Sequence, residues 1–205
     1  MKDILFIRPG DDSSAIQVAA WGQAVRQMAG SLQTDDLCGA QATRSNVDKK
    51  LSADFRHLFW FGHGTTTALI AKGQALVDAQ NISNVRGGVV VAIACYAAVT
   101  LGRSAKSGSN PVAFLGFDDE LGFPANAPLP MMFAVTRGLS CLFQQRHDVK
   151  YAADQLRTQF DRARMEYKQN GAKYGLSPSD ARTAWLFAKS NRYSVRTHGD
   201  TQAVL

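Results

Sequence analysis

The sequence predicts an α/β domain: a doubly wound, mostly parallel sheet with helices on both faces. Short apolar runs at 4–7, 57–61, 89–94 and 112–117 have the unbroken character of strands covered on both sides. Amphipathic helical spacing follows the first run and takes over the chain beyond about 130. Glycines, prolines and capping residues punctuate the segments between them.

Taken in order, Ile4-Leu5-Phe6-Ile7 forms the first strand and Pro9-Gly10 ends it. Asp11-Asp12-Ser13-Ser14 supplies caps for a helix in which Ile16, Ala20, Trp21, Ala24, Val25 and Met28 recur at intervals of three and four, with Gly30 as its stop. A weak second strand is expected within 37–43 and a short helix within 47–55. Residues 57–61 make the next strand. After Gly64 comes a small hairpin, or a strand and turn, built from Ala68-Leu69-Ile70 and Ala75-Leu76-Val77. Gly87-Gly88 opens the strongest strand, 89–94. Gly102 to Asn110 has the composition of an exposed loop, and Pro111 stands where a strand loses no ladder donor, ahead of the buried run 112–117. Val149, Ala152, Ala153, Leu156, Phe160 and Ala163 form one helical stripe, opened by Asp148 and closed near Asn170-Gly171. Ser177-Pro178-Ser179-Asp180 starts a last helix through Trp185, with Ser as cap, Pro at the first position and Asp in the first turn. The tail after Arg196 is expected to fray.

At 205 residues and 45% hydrophobic composition, the chain suits a single domain, 1–205, with a substantial core. No apolar run approaches the roughly 20 residues that span a bilayer, so the expectation is a soluble, cytoplasmic protein without a membrane partner. Cys38, Cys95 and Cys141 are odd in number and widely spaced, which fits neither a disulfide framework nor a zinc knuckle, and no metal is expected. The net charge of +6 is scattered; its densest stretch, 157–173, also holds Asp161 and Glu166 and reads as a solvated helical face rather than a nucleic-acid surface. Neither G-x-G-x-x-G nor G-x-x-x-x-G-K occurs, which counts against a nucleotide-binding regulator.

Two strings carry the chemistry. Phe59-Trp60-Phe61-Gly62-His63-Gly64 and Val89-Val90-Val91-Ala92-Ile93-Ala94-Cys95 each run a buried strand into a reactive side chain. Open α/β sheets place their chemistry beyond the carboxyl ends of their strands, so His63 and Cys95 belong on one rim. A thiol attacking an amide needs a proton carrier, donors for the oxyanion and a pocket for the residue before the scissile bond. His63 supplies the first, as general acid and base for a Cys95 nucleophile. The N–H groups of Gly64 and Cys95 supply the second, and a missing side chain at Gly64 lets its amide come close. His57 inside its strand, His147 at a helix end and His198 in the tail are expected to be bystanders, and Cys38 and Cys141 structural.

The strand-His-Gly and strand-Ala-Cys pair, in that order, resembles the caspase-like fold of clan CD cysteine peptidases over roughly residues 1 to 165. Ala94-Cys95-Tyr96-Ala97 stands where animal caspases carry Gln-Ala-Cys-x-Gly, which moves the likeness toward prokaryotic and CHAT-type members. The resemblance implies peptide-bond hydrolysis by His63 and Cys95 without a cofactor. It also implies an acidic selector for a basic P1 residue, in the loop after the strand that follows the Cys or in the first-strand loop. Asp118, Asp119 and Glu120 occupy the one loop and Asp11 and Asp12 the other; Asp118 or Asp119 is the expected S1 carboxylate, with Asp11 next, although capping and solvated roles compete at every one of these positions. A carboxylate there prefers Arg or Lys and repels Asp. Arg103 and Lys106, just downstream of Cys95, mark a processing loop at 102–110, which implies a zymogen cut by itself or by an activating protease or regulated by a partner. By the same analogy the chain is an effector in bacterial cell death or antiviral (phage) defence. The rival expectation is a noncatalytic caspase-like module that binds a protein partner through the same rim.

Overall fold

The structure is a computed structural model and describes residues 2–53, 55–85, 88–105 and 112–205. Nine strands and six helices run in the order β1 (Lys2–Arg8), α1 (Ser13–Arg26), β2 (Thr34–Cys38), α2 (Arg44–Leu51), β3 (Phe55–Phe61), β4 (His63–Gly64), β5 (Ala68–Ala71), β6 (Gln74–Asp78), β7 (Val89–Ile93), α3 (Leu101–Ser104), β8 (Ala113–Phe117), α4 (Leu129–Gln144), α5 (Val149–Asn170), α6 (Pro178–Ser194) and β9 (Val195–His198) among the described residues. Six strands form one sheet in the order β2-β1-β3-β7-β8-β9. Every pairing in it is parallel except β8 with β9. A small antiparallel sheet, β4-β5-β6, projects from the end of β3.

Side chains alternate across each strand, and the two faces collect separate cores. Ile4, Phe6, Phe59, Phe61, Val91, Ile93, Leu115 and Phe117 face one way and pack against α1, α4, α5 and α6. Leu5, Ile7, Leu58, Trp60, Val90, Ala92 and Phe114 face the other and pack against α2, α3 and the β5–β6 hairpin. Helices thus cover both faces, as the unbroken apolar runs require.

The helices start where their caps place them. Asp12 accepts from Ala15 N–H, Asp148 from Tyr151 N–H and Ser177 from Asp180 N–H. Some boundaries differ from expectation. The second strand lies at Thr34–Cys38, upstream of 37–43, because parallel pairing with Ile4 to Arg8 recruits Thr34, Asp35 and Asp36. Those acidic residues are neutralised from neighbouring elements, Asp36 by Arg8 and Asp35 by Lys50. The short helix after it also begins early, at Arg44, because Thr43 caps it by accepting from Asn46 N–H.

The tail does not fray after Arg196. Residues Val195 to His198 form β9, in antiparallel register Phe117↔Val195 to Phe114↔His198, and His198 Nε2 bonds to Ala98 O at 2.7 Å. Further on, Ala203 O accepts from Val149 N–H. No helix is long and apolar enough to cross a membrane among the described residues.

Candidate active site

The rim at the carboxyl ends of β1, β3, β7 and β8 gathers four loops. Phe61 and Ile93 are partners in the β3–β7 ladder, and Gly62 N–H still reaches Ile93 O at 3.3 Å. His63 and Cys95 each stand two residues beyond that aligned pair, so neighbouring strands deliver both to the same edge. Both are half-buried.

His63 is held from two sides. Its carbonyl accepts from Trp60 Nε1 at 3.0 Å, which ties the turn back onto β3. Its ring Nε2 meets Asp12 Oδ2 at 2.8 Å, while Asp12 Oδ1 caps α1 through Ala15 N–H and accepts from Ser14 Oγ. One carboxylate therefore starts a helix and orients the imidazole. The Ala15 N–H, the Ser14 hydroxyl and His63 together pull the Asp12 carboxyl down to about 2. With its folded pKa below the unfolded value, Asp12 lends stability that is complete above the ordinary carboxylate range and is lost as pH falls through about 2. It is a full anion at neutral pH and fixes the proton on Nε2, leaving Nδ1 as the basic face of His63.

Sequence reasoning read Asp12 as a cap and missed this second contact. The signal that finds it is strand order: β1 lies beside β3, so the loop after β1 meets the loop after β3. Asp12→Asn isolates the two roles. Asn caps as well as Asp, so α1 keeps its start and only the charge-dependent part of the Asp12 stability is lost, but with its oxygen kept on Ala15 its amide N–H₂ faces His63 Nε2 and drives the ring to the opposite tautomer. For a peptidase that works through His63, hydrolysis should fall roughly 10- to 100-fold in kcat with little change in KM. Asp12→Ala should lose the same activity and, in addition, about 1 kcal/mol of stability, read by thermal unfolding.

Gly64 sits against the backbone of Cys95. A Cβ built there lies 2.5 Å from Cys95 O and 2.9 Å from Ala94 Cβ, so only Gly permits the approach. In the β4–β5 pair, Thr65 N–H donates to Ala68 O at 2.8 Å, and the alternation of antiparallel pairing then makes Gly64 and Leu69 a non-hydrogen-bonded pair. That turns the Gly64 N–H away from β5.

Cys95 Sγ accepts from Leu121 N–H at 3.3 Å. Burial pushes the thiol above its ordinary pKa, the Leu121 N–H pulls the other way, and the charges of Glu120 and Asp119 add to the upward push. The net direction favours the protonated thiol. Tyr96, next in the chain, adopts φ +55°, a left-handed conformation uncommon outside glycine, and its N–H donates to Asp119 O at 3.1 Å. Among the described residues the His63 ring bonds to Asp12 and Cys95 Sγ to Leu121, not to each other.

The three expected S1 carboxylates separate. Asp118 is engaged by Arg196 Nε at 2.8 Å, a partner brought in by the unexpected β9. Asp11 Oδ2 receives Lys72 N–H from the tip of the β5–β6 hairpin at 2.5 Å, and its Oδ1 is buried without a hydrogen bond. Asp119 is exposed, its carboxylate accepts from Glu120 N–H, and it lines a cavity of about 470 Å³ with Glu120, Leu186, Phe187, Lys189 and Tyr193. The processing loop also changes: Arg103 lies in the helical turn α3 rather than in a loop, and Lys106 falls outside the described residues.

Of the remaining sequence expectations, His57 is buried and accepts Val89 N–H on Nδ1, a structural bond between β3 and β7, and burial lowers its pKa to about 4. His147 stacks on Tyr151. Cys141 is buried in α4, whereas Cys38 is exposed. No group of three or more His, Cys, Asp or Glu converges to hold a metal ion among the described residues.

No protein-family model and no curated protein matches the chain. Solved structures do. The Arg-specific cysteine proteinase gingipain R matches with a TM-score of 0.63 and 11% identity over 99% of this chain and 47% of that one. The complex of pro- and mature gingipain domains from Porphyromonas gingivalis gives 0.62 and 12% over 99% and 48%, and a further protease structure 0.67 and 12% over 98% and 48%. The chain spans about half the length of each. At these identities the likeness is one of fold: a caspase-like, mostly parallel six-stranded sheet wrapped by helices.

Proposed function

We propose that the chain is a cysteine endopeptidase that cuts after Arg or Lys. The observation that carries this reading is the placement of His63 and Cys95 at matched positions past the Phe61–Ile93 pair, with His63 oriented by Asp12. His63 Nδ1 takes the thiol proton as Cys95 Sγ attacks the scissile carbonyl carbon. The oxygen becomes an anion that the N–H groups of Gly64 and Cys95 receive. The imidazolium, steadied by Asp12, passes its proton to the departing amine as the C–N bond breaks. Water then attacks the thioester with His63 as base, releasing the acid and restoring the thiol.

Specificity rests on the acidic loop after β8. With Asp118 paired to Arg196 and Asp11 locked to the hairpin, Asp119 is the S1 carboxylate of this proposal; with Glu120 it outnumbers the cation that lines that cavity, Lys189, and the apolar surface of Leu186, Phe187 and Tyr193 suits the aliphatic stem of a long basic side chain. The fold neighbour described as Arg-specific supports the same preference. A panel of fluorogenic peptides differing only at P1 tests it. Arg and Lys substrates should be cleaved at least about 100-fold faster than Asp substrates, and Asp119→Ala should shrink that ratio. Strong cleavage after Asp with none after Arg or Lys would remove the specificity assignment and leave the dyad standing.

A further inference from the structure

The loop that touches the nucleophile is itself held by a residue far along the chain. Asn191, on α6, is completely buried. Its Nδ2 donates to Gly122 O at 2.8 Å and its Oδ1 accepts from Gly122 N–H at 3.0 Å, a two-point clamp on one backbone residue. Only an amide side chain offers a donor and an acceptor at that spacing; a carboxylate keeps half of the clamp and an aliphatic group none. The same residue of the loop is pressed by a second α6 side chain, since a Cβ at Gly122 would run into the Phe187 ring. One peptide earlier, Leu121 N–H points the opposite way and donates to Cys95 Sγ.

We infer that Asn191 is a positioning residue for the nucleophile: its clamp on Gly122 sets the adjoining peptide so that Leu121 N–H rests on Cys95 Sγ. The inference rests on Cys95 being the nucleophile of the proposed peptidase, but it acts on the thiol itself and is measurable without any substrate. As Cys95 loses its proton, the sulfur gains negative charge and the Leu121 donor becomes a charge-assisted one. The charged and titratable groups acting on this sulfur are the Asp119 and Glu120 carboxylates and Tyr96, while the His63 ring on the neighbouring strand end is bonded to Asp12. The anionic ones oppose the thiolate, so a fixed N–H is the loop's contribution in its favour.

The test is the pH dependence of iodoacetamide alkylation at Cys95, followed by peptide mass spectrometry, with exposed Cys38 as the internal reference. Asn191→Leu should move the Cys95 midpoint up by about one pH unit and leave Cys38 unchanged. Against the Arg substrate it should lower kcat about tenfold with KM nearly constant. Leu121→Pro removes the same donor without touching α6 and should reproduce the shift; it carries the test alone where Asn191→Leu does not fold. An unchanged Cys95 profile in a folded variant of either kind overturns the inference. A shifted profile in a protein that cuts no peptide upholds the clamp and removes the peptidase.

Discussion

Cys95→Ala and His63→Ala should each abolish peptide hydrolysis, by on the order of 10⁴-fold or more in kcat/KM, while leaving the fold in place. Neither side chain carries the core. Cys95 is half-buried at the edge of the core and surrenders one sulfur's packing and the Leu121 N–H contact, and His63 leaves Asp12 still capping α1 through Oδ1. The double variant should be no worse than either single one, because the two groups act on one proton and one bond. Matching circular dichroism and melting curves for all three, alongside the lost hydrolysis, separate chemistry from folding. A Cys95→Ala protein that still cuts the peptide would assign the activity elsewhere.

Gly64→Ala should be nearly as damaging for a different reason. The added methyl would stand 2.5 Å from Cys95 O, so either the β4 strand or the Cys95 peptide must shift. That overpacking costs about 1–3 kcal/mol of stability. It also withdraws an oxyanion donor, which is worth roughly 10²- to 10³-fold in kcat. The loss should fall on kcat, with KM little altered, because the donor engages the oxyanion rather than the ground-state carbonyl. Steady-state kinetics paired with urea unfolding give both numbers. Full kcat in the Gly64→Ala enzyme would show that the Gly is needed for packing alone.

The strands and helices were legible because their signals are local. Buried runs such as Val89-Val90-Val91 and the caps Asp148 and Ser177 depend on residues within one segment. The β9 strand was not legible: Val195-Arg196-Thr197-His198 follows α6 without a turn residue, and its extended form comes from pairing with β8, more than seventy residues upstream. That miss propagated, since the strand brings Arg196 to Asp118, one of the expected S1 carboxylates. The placement of His63 and Cys95 on one rim was readable because each ends an apolar run. Asp12 was readable as a cap or as an acidic loop residue but not as a partner of His63, because that contact spans 51 positions and exists through the β1–β3 adjacency. Asn191 gave no sequence signal, sitting as one polar residue among the buried positions of a helix, and its meaning lies wholly in the Gly122 backbone it meets.

The most direct test of the central claim is covalent. A peptidyl acyloxymethyl ketone with Arg at P1, incubated with the wild-type chain, should add one peptidyl mass, mapped to Cys95. That adduct should be absent in Cys95→Ala and much slower to form in His63→Ala, while Cys38 and Cys141 remain unlabelled. No adduct on a folded wild-type chain, or an adduct on Cys38 instead, would contradict the account and point to a noncatalytic module of the same fold.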